Sequence, residues 1–84
     1  MKNSAKKELE KMVKEFNARI ENSESKYEIT CMRFGRGQYS CTISYGSVFY
    51  STDFSKLMEL VTKEDLCIFL CAGKGETKAR INIQ

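Results

Sequence analysis

The side chains best suited to chemistry in this chain are four cysteines, at positions 31, 41, 67 and 71, and the cations at two glycine-rich turns. There is no histidine. That absence removes Ser-His-Asp and Cys-His nucleophile systems, which need an imidazole titrating near neutral pH. It removes Cys/His zinc sites built from one chain as well. Acid–base work would fall to carboxylates, lysines or tyrosines. The carboxylates are mostly glutamates, and those of the first helix are spaced for surface pairs with basic residues. The two aspartates, Asp53 and Asp65, stand at element ends, where caps and turns favour them. No glycosidase-type carboxylate pair can be placed. Ser40, Ser44 and Ser51 have no base in view. The expectation is a protein without enzymatic activity, cofactor or small-molecule substrate.

An even cysteine count admits a disulfide framework. A four-thiolate zinc site typically uses Cys-x2-Cys knuckles at tight turns, whereas Cys67-x3-Cys71 lies inside an apolar run. The opening stretch MKNSAKKELEKMV is basic but has no apolar segment behind it, so no secretory signal is expected. The longest apolar run, Leu66 to Ala72, is far short of a membrane span. These features point to a cytoplasmic protein (host-cell cytoplasm, were it phage-encoded), with no metal and no membrane partner. Its cysteines then serve as small buried hydrophobes.

Gly35-Arg36-Gly37 and Gly73-Lys74-Gly75 each put a cation at a turn. With Arg33, Lys78 and Arg80 close in sequence, they form a candidate basic edge for phosphates. Phe34 and Tyr39 offer stacking surface for single-stranded nucleic acid. The plainer reading is two hairpin turns with solvated cations. Neither turn is a P-loop or a dinucleotide fingerprint. The net charge of +3, from 14 basic against 11 acidic residues, permits an acidic partner without demanding one.

The elements that must carry these residues follow from periodicity. Ala5, Leu9, Met12, Val13, Phe16 and Ile20 form one stripe of an amphipathic helix over about 4–21, capped by Asn3 or Ser4. Its charged face reads as solvated, with i,i+4 pairs such as Glu10–Lys14 and Glu15–Arg19. From Tyr27 the period drops to two. Tyr27, Ile29 and Cys31 share one face, as do Tyr39, Cys41, Ile43 and Tyr45. A three-residue loop, Gly35-Arg36-Gly37, opposes Cys31 to Cys41 and Ile29 to Ile43, which puts every apolar residue on one side. Gly37 suits the left-handed third position of a G1-bulge hairpin. Gly46-Ser47 reads as a second tight turn, sending Val48 and Tyr50 to the core and Phe49 outward. That completes a three-stranded meander over about 27–51.

Ser51, Thr52 and Asp53 are N-cap candidates for a second helix over about 53–62, with Phe54, Leu57, Met58 and Val61 as its stripe. Leu66 to Ala72 reads as a buried strand, and Ala79, Ile81 and Ile83 mark a last strand, giving a hairpin over about 66–83. The 84 residues make one domain, 1–84. The expected fold is α+β, a two-layer sandwich of order α-β-β-β-α-β-β. Its five-stranded, mostly antiparallel sheet carries two helices on one face.

The face turned away from the helices should be polar. Yet parity puts Met32, Phe34 and Phe49 there, and the 66–72 strand is apolar on both sides, so its outer side carries either Leu66, Ile68 and Leu70 or Cys67, Phe69 and Cys71. An exposed apolar patch marks an interaction surface. The expected function is therefore a small interaction protein that docks on a macromolecular partner. Phe34, Phe49 and Phe69 would be its apolar anchors, with Arg33, Arg36, Lys74, Lys78 and Arg80 as its cations. Size and the missing catalytic groups suit a phage or mobile-element inhibitor of a bacterial defence system, of the anti-CRISPR kind. A homodimer is an admissible partner. Direct nucleic-acid binding through the two basic tips is the alternative.

Overall fold

The computed structural model describes residues 1–46, 48–72 and 78–84. Two helices, α1 (Asn3–Ala18) and α2 (Ser51–Lys63), accompany four strands, β1 (Glu28–Arg33), β2 (Tyr39–Tyr45), β3 (Ile68–Ala72) and β4 (Ala79–Ile83). The strands form one sheet of order β1-β2-β4-β3, antiparallel throughout. Among the described residues the fold is thus α+β with four strands where the sequence suggested five.

The missing strand has a clear cause. β2 uses its second edge for β4, pairing Tyr45 with Ala79 and Cys41 with Ile83. No edge is left there for a hairpin partner at 48–50. That segment is held by side chains instead. The Tyr50 backbone N–H donates to the Tyr27 hydroxyl at 3.0 Å, and the Phe49 ring stacks on Tyr27 at 4.4 Å between centroids. The expected parity inverts as a result. Phe49 packs against the core, whereas Val48 and Tyr50 are exposed. The turn proposed at Gly46-Ser47 falls partly on Ser47, outside the described residues.

The β1–β2 hairpin has the expected register, with Cys31 opposite Cys41 and Ile29 opposite Ile43. Gly37 is left-handed at φ 68°, as its place in the loop requires. Gly35 is left-handed too, at φ 74°, so the loop departs from the G1-bulge form, which needs only one such residue. The Phe34 N–H donates to the Gln38 carbonyl at 2.9 Å, which fixes the alternation of the ladder. Counting back, Cys31 and Cys41 occupy a non-hydrogen-bonded pair, where side chains approach most closely. They are joined as a disulfide, with their Cα atoms 4.0 Å apart. The expectation of reduced thiols therefore fails at this pair, because the register brings the two sulfurs together. It fails differently at Cys67 and Cys71, which are exposed thiols and not core residues.

The core gathers Leu9, Val13 and Phe16 from α1, Leu57, Leu60 and Val61 from α2, and Cys41, Ile43, Ile81 and Ile83 from the two central strands. Each of the larger aliphatic side chains contributes roughly 1.5–3 kcal/mol by leaving water. The helix termini differ from the expected caps. Lys2 precedes α1 and Tyr50 precedes α2, and neither supplies a side-chain cap. Glu10 pairs with Lys6 at 3.1 Å, one turn earlier than expected, and Arg19 turns from Glu15 towards Asp53. α2 closes in a Schellman arrangement. The Leu66 N–H reaches the Val61 carbonyl at 2.9 Å, and Asp65 takes the left-handed position at φ 53°.

Candidate functional site

Two places in the molecule combine polar chemistry with access. The first joins α1, β1 and α2. Asp53 is 1% exposed, in the first turn of α2. Its Oδ1 accepts from the Arg19 guanidinium, and its Oδ2 accepts from the Tyr27 hydroxyl at 2.7 Å. Asn17, in the last turn of α1, clamps the Tyr27 backbone from both sides. Its amide donates to the Tyr27 carbonyl at 2.9 Å and accepts from the Tyr27 N–H at 2.8 Å. Burial pushes the Tyr27 hydroxyl up to about 12, and the hydrogen bond and negative charge of Asp53 add to it. Its bond from the Tyr50 N–H works in the opposite direction.

An open cleft of about 420 Å³ lies beside this cluster, lined by Arg19, Asn22, Ser25, Tyr50, Thr52 and Asp53 among others. The chemistry available to it is small. Both Asp53 oxygens are engaged, and the Tyr27 hydroxyl both donates and accepts. With its proton held to about pH 12, Tyr27 is a poor base at neutral pH. The cluster is a bracket that fixes α2 against α1 and the start of β1. Sequence reading took Asp53 for a cap. Its burial was legible in the spacing 53, 57, 60, 61, which puts it on the same stripe as Leu57, Leu60 and Val61. Among the described residues no group of three ligating side chains gathers for a metal.

The second place is the sheet itself. On the face bearing even positions of β1, β2 and β4, the middle is polar. Asn82 donates to Ser40 Oγ and to Thr42 Oγ1, both at 3.0 Å, and Gln84 donates to the Asn82 carbonyl oxygen at 2.9 Å. The single apolar back expected from parity is therefore split into two edges. Met32 and the neighbouring Phe34 are exposed along β1, and Phe69 lies along β3. Three strand spacings, about 14 Å, separate the two edge strands.

β3 is the more unusual edge. It pairs with β4 alone among the described residues. Its pairing with Asn82 puts Phe69 on the polar-centred face, and Leu70, opposite Ile81, lies on the helix side. Phe69 is 50% exposed and Leu70 is 70% exposed. The strand thus leaves an apolar side chain poorly covered on each side, although Ile68 packs partly against the core. The sequence leaves open which set faces outward, Leu66, Ile68 and Leu70 or Cys67, Phe69 and Cys71, and members of both are exposed. The usable signal was that the run has one sequence-adjacent hairpin partner and nothing to flank it.

The remaining expected site residues do not converge. Arg33 and Arg36 are exposed at the hairpin end of the sheet, where the Arg33 guanidinium donates to the Gly35 carbonyl. Lys78, bound to Glu28 at 2.6 Å, and exposed Arg80 lie near the other end, since Ala79 pairs with Tyr45. Six residue steps along β2 separate Tyr39 from Tyr45, roughly 20 Å of strand. The basic edge drawn from the two glycine tips is thus not assembled from these four. Lys74 and its turn lie outside the described residues. Phe49 is removed from the anchors by its packing on Tyr27, Tyr45 and Phe54. No described helix is long and apolar enough to cross a membrane. No family model, curated protein or solved structure matches the chain.

Proposed function

We propose that this chain is a small, non-enzymatic interaction protein that docks on a protein partner through the β3 edge. One observation carries the reading: a strand with one ladder partner among the described residues exposes Phe69 on one face and Leu70 on the other. Edge strands normally carry charge, proline or a bulge to discourage pairing. Ile68-Phe69-Leu70-Cys71-Ala72 has no charge and no proline. Strand addition would satisfy its outward backbone groups and cover both side chains at once. An inhibitor of a bacterial defence system, of the anti-CRISPR kind, is one role that such a module would suit.

The test is affinity capture from the native host, with protein and nucleic acid identified together. Wild type, Phe69→Asp and Arg36→Glu are compared across a salt series. The reading expects a protein partner lost with Phe69→Asp and kept with Arg36→Glu. Retention of nucleic acid that falls steeply with salt, survives Phe69→Asp and is lost with Arg36→Glu would replace it with the nucleic-acid alternative.

A further inference from the structure

The residues along the β3 edge read nearly the same in both directions: Cys67-Ile68-Phe69-Leu70-Cys71. A strand of that kind is complementary to itself when two copies run antiparallel. The hydrogen-bond phase of the edge agrees with such a pairing. The Cys67 N–H donates to the Gln84 carbonyl at 2.9 Å, and the Gln84 N–H returns to the Cys67 carbonyl at 3.0 Å. Cys67 is therefore a hydrogen-bonded position towards β4, and by alternation so are Phe69 and Cys71. Ile68 and Leu70 then direct their N–H and C=O groups away from β4, to the outer edge.

We infer that the partner of this edge is a second copy of the chain, paired antiparallel about a two-fold axis at Phe69. The inference rests on the reading of β3 as a docking edge and names its occupant. In this register Ile68 faces Leu70 of the partner subunit, and Leu70 faces the partner's Ile68. Those are the positions with outward backbone groups, so four inter-chain hydrogen bonds form. Phe69 meets the partner's Phe69 on the polar-centred face. Cys67 meets the partner's Cys71, and Cys71 meets the partner's Cys67, both at non-hydrogen-bonded sites. That is the class of site already occupied by the Cys31–Cys41 disulfide in the β1–β2 hairpin. Both thiols are exposed, so both are open to exchange.

Two strands of five residues make a contact at the small end of protein interfaces. Covalent closure would hold it. Each bridge forms with a small-molecule disulfide, RSSR, as oxidant. The Cys67 thiolate attacks RSSR and releases one RS⁻. The thiolate of the partner's Cys71 then attacks the Cys67 sulfur of the mixed disulfide and releases the second RS⁻. Two protein thiols are oxidised to one S–S bond, and one RSSR is reduced to two RSH. A parallel pairing in register would oppose each cysteine to its own equivalent, and a shift of one residue would oppose cysteine to a non-cysteine.

The test is oxidation of the full chain with oxidised glutathione, read on non-reducing gels and by mass spectrometry of the tryptic segment 64–74. Wild type should give a dimer linked through two copies of that segment. Cys67→Ser alone and Cys71→Ser alone should each lose the dimer, because the surviving thiols lie four residues apart along the paired strands. Mixing the two variants should restore it, since one Cys67–Cys71 pair is then rebuilt in the heterodimer. Sedimentation of the reduced wild-type chain should show a concentration-dependent dimer that Phe69→Asp abolishes. Cross-linking of either single variant by itself, or failure of the mixture while wild type cross-links, overturns the register. A wild-type chain that stays monomeric and uncross-linked overturns the inference. If that monomer still captures a host protein in a Phe69-dependent way, the docking reading survives without it.

Discussion

The Tyr27 hydroxyl donates to the Asp53 carboxylate at 2.7 Å, across 26 residues of sequence and away from solvent. The same oxygen receives the Tyr50 N–H, just before the first turn of α2. One phenol therefore neutralises two problems, a buried acid and an unpaired amide. Tyr27→Phe should lower unfolding free energy by about 1–3 kcal/mol, the usual cost of stranding a buried polar partner. Urea denaturation at neutral pH measures it. A loss well below that range would mean that Asp53 is satisfied by Arg19 alone.

The same pair sets a pH dependence. An exposed tyrosine titrates near pH 10, whereas burial beside Asp53 holds Tyr27 to about 12. Between those values the folded chain binds more protons than the unfolded one, so stability falls as pH rises. The contribution is complete below pH 10 and is lost through pH 12. Two units correspond to on the order of 2–3 kcal/mol. Denaturation midpoints taken from pH 9 to 12 should decline in wild type. In Tyr27→Phe this component of the decline should be absent.

Asp65 takes a left-handed backbone at the C-terminus of α2, where its charge faces the negative end of the helix dipole. Glycine adopts that conformation without steric cost, though it gains freedom in the unfolded chain. Asp65→Gly should raise stability by about 0.5–1 kcal/mol. The urea midpoint should increase with an unchanged slope.

The Cys31–Cys41 bond closes a short loop through the hairpin turn, with a sequence separation of 10. Cross-linking so short a loop restricts the unfolded chain by about 2–3 kcal/mol. Reduction of dilute monomer with dithiothreitol should lower the urea midpoint by an amount in that range. Double alkylation at these two positions, checked by mass, identifies the bond as the cause.

Local physics was readable where sequence neighbours interact. The Gly35-Arg36-Gly37 loop and the alternation on either side of it favour the observed β1–β2 register, because a two-residue loop would mix polar and apolar faces. The apolar stripes of α1 and α2 were legible for the same reason. Long-range pairing was not. Nothing near Tyr45 announces that β4 will occupy the edge that Val48 seemed to need. The apolar edges were foreseen in part. Met32 and Phe34 are exposed as parity suggested, and Phe69 belongs to one of the two sets left open for the 66–72 strand, whereas Phe49 follows Tyr27 and not a ladder. Asp53 was missed because a lone acid at a helix start looks like a cap, and its two partners come from 26 and 34 residues away.

The strand order β1-β2-β4-β3 has a consequence for how the chain is made. Of the four strands, the one that emerges last in synthesis belongs between two that emerge earlier. A nascent chain that has delivered β1, β2 and β3 still carries a slot with hydrogen-bonding groups on both walls. Only the arrival of Ile81 and Ile83 can fill it, so the sheet is incomplete until β4 has emerged. During that interval the hairpin and β3 are two unattached sticky edges, and crowding by sister chains on the same message is then most hazardous.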